Sequence, residues 1–85
     1  MSYQLIFSDS ALKFLKKQDK QVARRILKAL EKLKDQPETK ITKLVNSPYY
    51  RFRIGDYRAI MRIEHGMLII YIITLQRRDK IYRKK

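Results

Sequence analysis

The ten residues YYRFRIGDYR, 49–58, decide how the rest of the chain is read. Gly55-Asp56 lies between two runs that alternate apolar with basic residues, the pattern of a β-hairpin closed by a two-residue turn. Such a turn sets Ile54 opposite Tyr57, Arg53 opposite Arg58, Phe52 opposite Ala59 and Arg51 opposite Ile60. Successive strand residues point to opposite faces. One face therefore carries Tyr50, Phe52, Ile54, Tyr57, Ala59, Met61 and Ile63, and reads as a core face. The other carries Arg51, Arg53, Arg58, Ile60 and Arg62. Like charges directly opposite one another on a sheet cost up to about 1 kcal/mol. A sequence shaped by folding alone would set Glu or Thr at one of those places.

Toward the C-terminus, His65-Gly66 reads as a second turn, and MLIIYIITL, 67–75, as a third strand. Its nearly continuous apolar run is that of a central strand covered on both faces. Toward the N-terminus, YQLIF, 3–7, is a short first strand, and Ser8, Asp9 or Ser10 caps the helix after it. Ala11, Leu12, Phe14 and Leu15 form the apolar side of that helix. Asp19 opens a second helix with a stripe of Val22, Ile26, Ala29, Leu30 and Leu33, and Pro37 ends it. The expected architecture is one domain, residues 1–85, of class α+β: a helical hairpin packed on a small antiparallel sheet.

Composition narrows the function. The chain has 85 residues, 45% of them hydrophobic, with only two Gly and two Pro, so it folds rather than staying disordered. It has no cysteine, which excludes disulfides, thiolate chemistry and a cysteine-based zinc site. A single histidine does not build a typical metal site, and no metal or other cofactor is expected. No apolar run reaches the roughly 20 residues of a membrane span. The start, MSYQLIFSDS, lacks the charged region of a secretory signal, so a cytoplasmic protein is expected.

Charge is the dominant feature. Lys plus Arg number 21 against 8 acidic residues, a net charge of +13. Repulsion on that scale implies a polyanionic partner: nucleic acid first, an acidic protein second, an anionic membrane surface third. The kind of base is as informative as the number. Between Leu44 and Asp79 every basic residue is arginine, whereas the helices use mostly lysine. Arginine grips phosphate with a planar fork, and lysine is a point charge. The strand face of Arg51, Arg53, Arg58 and Arg62 thus reads as a site for a phosphate backbone. The tail interleaves Arg77, Arg78 and Lys80 with Tyr82, a mixture that suits single-stranded RNA.

These pieces together resemble the RelE family of toxins, the mRNA-cleaving halves of toxin–antitoxin pairs. The resemblance spans most of the chain and rests on Lys43-Leu44, on YRFRIGDYR at 50–58 and on RRDKIY at 77–82. It implies a fold related to microbial ribonucleases and a metal-independent endoribonuclease that cuts mRNA in the ribosomal A site. It implies a RelB-like antitoxin as partner, with operator DNA bound only through the antitoxin complex. By matching motifs, Arg58 and Arg78 would hold the scissile phosphate, and Tyr82 would orient or stack on the RNA. Arg51 and Arg53 match positions where relatives carry basic residues, sometimes lysine. Lys43, Arg62, Arg77 and Lys80 would add RNA contacts.

The chemistry is consistent with these residue types. RNA supplies its own nucleophile, the 2′-hydroxyl, and preorganised cations stabilise the charge that develops on phosphorus. Arginine keeps its proton at physiological pH, so Arg51 and Arg53 are assigned to charge stabilisation and not to proton abstraction. The general base stays open among Tyr82, Lys80 and a group of the ribosome. His65 lies in the second turn, roughly 20 Å along the strand from Arg58, and reads with Glu64 as a solvent-exposed turn element. Two other readings stand beside this one: a non-catalytic RNA- or ribosome-binding protein, and a basic module for an acidic protein partner.

Overall fold

The computed structural model describes residues 3–35 and 40–77. The hairpin forms as its sequence dictates. Strand β3 (Tyr50–Ile54) pairs antiparallel with β4 (Tyr57–Glu64) in the expected register, Arg53 against Arg58 and Ile54 against Tyr57. Gly55 has φ +57, and Asp56 is not left-handed. Glycine at the first turn position is the type II′ arrangement, whose twist matches that of the flanking strands.

Around this hairpin runs a five-stranded sheet of order β1-β5-β4-β3-β2. Strand β5 (Ile69–Arg77) returns antiparallel to β4. At the two edges the structure departs from the expected small antiparallel sheet. Strand β1 (Gln4–Phe7) pairs with β5 in parallel, Gln4 with Ile69 through Phe7 with Ile72, so the sheet is mixed. Strand β2 (Ile41–Lys43) pairs antiparallel with β3, Thr42 opposite Arg51. Its three residues are too few to display an alternation of their own.

The second turn also differs. Glu64 pairs with Ile69, so the loop is His65–Leu68 and β5 begins at Ile69, not at Met67. The left-handed residue is Leu68, φ +57, and not Gly66. Its carbonyl accepts from Gln4 N at 2.8 Å, which anchors the loop to the first residue of β1.

Helix α1 (Asp9–Lys16) starts at Ser8, whose Oγ accepts from Ala11 N at 3.0 Å, the standard N-cap bond. Helix α2 (Lys20–Leu33) starts after Asp19, whose carboxylate makes no capping bond. Ile26, Leu30 and Leu33 of α2 are buried, with Val22 and Ala29 packed beside them. Ala11 is the buried residue of α1, and Phe14 and Leu15 pack against the core. Leu12, expected on the same stripe, is 44% exposed. The end of α2 at Leu33 precedes Pro37, which lies outside the described residues.

Both helices cover the same side of the sheet. Their buried residues join Phe52, Ile54, Tyr57, Ala59, Met61, Ile63, Ile70, Ile72 and Leu75 in one core, and Phe14 meets Tyr57 edge-on with ring centroids 5.9 Å apart. On the other side the residues of β3 and β4 are exposed or half-buried. Strand β5 is thus flanked by strands on both edges but covered by helices on one face only, contrary to the reading of its apolar run.

Candidate nucleic-acid interface

The uncovered face is a lattice of side chains that the register fixes. One row runs Arg53, Arg58, Gln76 across β3, β4 and β5. The next runs Thr42, Arg51, Ile60, with Thr74 paired to Ile60. A third runs Arg62, Tyr71, Ile6, and a fourth Glu64, Ile69, Gln4. Side chains directly opposite on neighbouring strands stand about 5 Å apart at Cβ, so each row is a contiguous set.

One member, Gln76, reaches this face through a β-bulge. Ile60 pairs with Thr74 but Met61 pairs with Ile72, so Ile73 is an additional residue in β5. A bulge reverses the alternation beyond it. Without it Gln76 would point at the helices, and Leu75 and Arg77 would point outward; Thr74, at the bulge itself, keeps its Oγ1 3.5 Å from Ser10 Oγ of α1. Ser8 marks the place: its hydroxyl donates to Ile73 O at 2.6 Å while accepting from Ala11 N. One hydroxyl therefore caps α1 and ties it to the bulge. Sequence alternation misses this, because the run IIYIITL offers no polar marker of the inserted residue.

The arginines of the face are not equivalent. Arg51 and Arg53 are exposed, and Arg58 is half-buried between Arg53 and Gln76. Arg58 Nε is buried and has no hydrogen-bond partner among the described residues. A buried donor left unpaired costs about 1–3 kcal/mol, a cost that an incoming acceptor would remove. Arg62 is different. Its Nη1 donates to Glu64 Oε2 at 2.9 Å, and its Cζ stands 4.5 Å from the centre of the Tyr71 ring. Among the described residues it is the one arginine of this face with a carboxylate partner.

Two residues expected with this set lie on the other side. Lys43 shares the face of Tyr50, its Nζ 5.8 Å from the ring centre. Arg77 pairs with Tyr57 and so falls on the helix side, beyond the bulge. Arg78, Lys80 and Tyr82 lie outside the described residues. His65 is exposed in its loop, with Tyr3 Oη 3.1 Å from Nδ1, and Glu64 is held by Arg62. An open cavity of about 430 Å³ beside α1 is lined by Ser10, Lys13, Phe14, Lys17 and Leu75, and none of the arginines lines it. Among the described residues no three His, Asp or Glu gather as a metal site requires, and no helix is long and apolar enough to cross a membrane.

The sequence model of the ParE toxin of the type II toxin–antitoxin system parDE matches residues 5–82. The chain belongs to this family. Solved structures extend the relation to RelE. The archaeal RelE of the Pyrococcus horikoshii RelE–RelB complex is 28% identical with a TM-score of 0.79, covering 92% of this chain and 97% of that one. The Mycobacterium tuberculosis RelBE2 toxin–antitoxin complex matches with a TM-score of 0.84 at 21% identity, covering 92% and 100%. The isolated Escherichia coli RelE toxin matches with a TM-score of 0.77 at 23% identity, covering 95% and 92%. At such identities the last two speak for the fold alone. A search of curated proteins found no match. This ParE-family chain is a type II toxin of the RelE/ParE superfamily with the RelE fold.

Proposed function

We propose that this toxin is an endoribonuclease that cleaves mRNA, with the uncovered arginine face as its active site and the ribosomal A site as its place of action. The observation that carries the reading is the row Arg53–Arg58–Gln76, in which, among the described residues, Arg58 Nε meets no acceptor and no carboxylate offsets Arg53 or Arg58. A dianionic, pentavalent phosphorus is the kind of group such a row stabilises.

In this mechanism the 2′-oxygen attacks the adjacent phosphorus and loses its proton to a base. The bond to the 5′-oxygen breaks, and that oxygen takes up a proton as it leaves. The products are a 2′,3′-cyclic phosphate and a 5′-hydroxyl. Arg58 grips the scissile phosphate, Arg53 and Arg51 bind along the backbone, and Arg78 and Tyr82 complete the site from the tail. Lys43, Arg77 and Lys80 contact RNA outside this row. The base is Tyr82, Lys80 or a group of the ribosome. A RelB-like antitoxin is the partner that neutralises the toxin, as the RelE–RelB complexes among the structural relatives suggest.

The matched family is ParE, and members of that branch can be gyrase toxins. A cell-free translation reaction separates the two. Cuts within codons, read by primer extension and absent with Arg58→Ala, are expected. Arrested growth with intact mRNA, and inhibition of purified gyrase, would overturn the ribonuclease reading.

A further inference from the structure

The third row of the face differs in kind from the first two. Among the described residues no carboxylate pairs with Arg51, Arg53 or Arg58. Arg62 is neutralised by Glu64 at 2.9 Å and lies over the ring of Tyr71 at 4.5 Å. Glu64 and the Tyr71 ring together hold the guanidinium. The Arg62 side chain is still 41% exposed and that of Glu64 43%, so both are accessible to a ligand. A carboxylate there repels phosphate. A flat, charge-compensated surface instead accepts the π-face of a base, since unstacked RNA bases rest on aromatic rings and on arginine planes. Glu64 then stands at the edge of that plane, where an acceptor-only group takes a hydrogen bond from an exocyclic amine. Ile6, 37% exposed and paired with Tyr71, borders the stack with an apolar wall.

From these observations we infer that Arg62, Tyr71 and Glu64 form a nucleobase platform that selects an amino-bearing base beside the scissile phosphate. It rests on the RNA reading of the face. Arg62 is four residues along β4 from Arg58, about 13 Å at 3.3 Å per residue. A short stretch of single strand spans that separation, so the platform reads a neighbouring base and not the phosphate that is cut. Tyr71 contributes affinity by supporting the guanidinium with its ring, and Glu64 is the specificity-determining residue through its carboxylate.

The test measures binding of the full-length toxin to short 2′-O-methyl oligonucleotides, which lack the free nucleophile and are not cleaved. Fluorescence anisotropy compares oligo(C), oligo(A) and oligo(U). The wild type is expected to prefer oligo(C) and oligo(A) over oligo(U). Tyr71→Leu, which keeps bulk without a ring, is expected to weaken binding about tenfold, and Tyr71→Phe to restore it. Glu64→Ala is expected to erase the preference while leaving oligo(U) binding equal or stronger. Tyr71→Leu and Glu64→Ala with unchanged affinity and preference, alongside a large loss in Arg58→Ala, would overturn the platform and leave the phosphate site standing. No binding of any oligonucleotide by the wild type would overturn both. Thermal melts of each variant show whether a loss reflects unfolding, and the Tyr71→Phe rescue separates the ring's role from a packing role.

Discussion

The two faces of one hairpin obey different rules. Toward the helices, Phe52, Ile54, Ala59, Met61 and Ile63 are buried, and each alternate residue adds to the core. Away from the helices, the intervening residues of the same strands set Arg53 against Arg58 and leave Arg58 Nε unpaired. The first face is what folding favours. The second is what folding disfavours and a phosphate ligand would favour. Because the two sets interleave along the same backbone, neighbouring substitutions should act on different properties.

The largest expected effect is on the covered face. Met61 is fully buried, and Met61→Ala should cost about 2–5 kcal/mol of stability, read as a shifted midpoint in urea denaturation. On the open face, Arg58→Ala should lower cleavage about 100- to 1000-fold, the scale of losing one preorganised charge donor, with a midpoint that does not fall and rises if relief of the Arg53–Arg58 repulsion dominates. If Arg58→Ala instead unfolds the chain, the contrast between the faces is broken and that arginine is structural.

A smaller effect is expected where the faces are tied together. Ser8→Ala removes both the cap of α1 and the bond to the bulge, and should cost about 1–2 kcal/mol. It should also lower RNA affinity, because the bulge holds Gln76 beside Arg58. A stability loss with RNA binding intact would show that the bulge stands without Ser8. The smallest effect has the opposite sign. Arg53→Thr should stabilise the fold by up to about 1 kcal/mol, since it relieves a like-charge pair, while weakening RNA binding. A destabilised Arg53→Thr would mean that the repulsion is already offset in the free protein.

The comparison also explains what was readable. The hairpin register follows from Gly55-Asp56 and a period of two, both local, and the structure reproduces it pair by pair. The helix stripes are local as well, and Ile26, Leu30 and Leu33 are buried as their spacing implies. Leu12 is the exception: it shares the apolar run of α1 but turns away from the core. Within the site, Arg51, Arg53, Arg58 and Arg62 share a face as alternation requires. Of the two partners that set Arg62 apart, Glu64 is local, two residues on along the same strand face, whereas Tyr71 lies on a strand whose register no local signal reveals.

The sequence by itself determined the class of the fold, the two helices, the central hairpin and the arginine face, because each is written in residues close together in the chain. Only the tertiary structure decided the edges and the bulge. Strand β1 became parallel because it joins β5, more than 60 residues on, as the pairing of Gln4 with Ile69 shows. Ile73 became the additional residue where Ser8 Oγ, 65 positions away, donates to its carbonyl. That single step of backbone set Gln76 opposite Arg58 and placed Arg77 opposite Tyr57, on the helix side. Period-two alternation carries no record of such a step, because the bond that marks it joins two segments that meet only when the chain has folded.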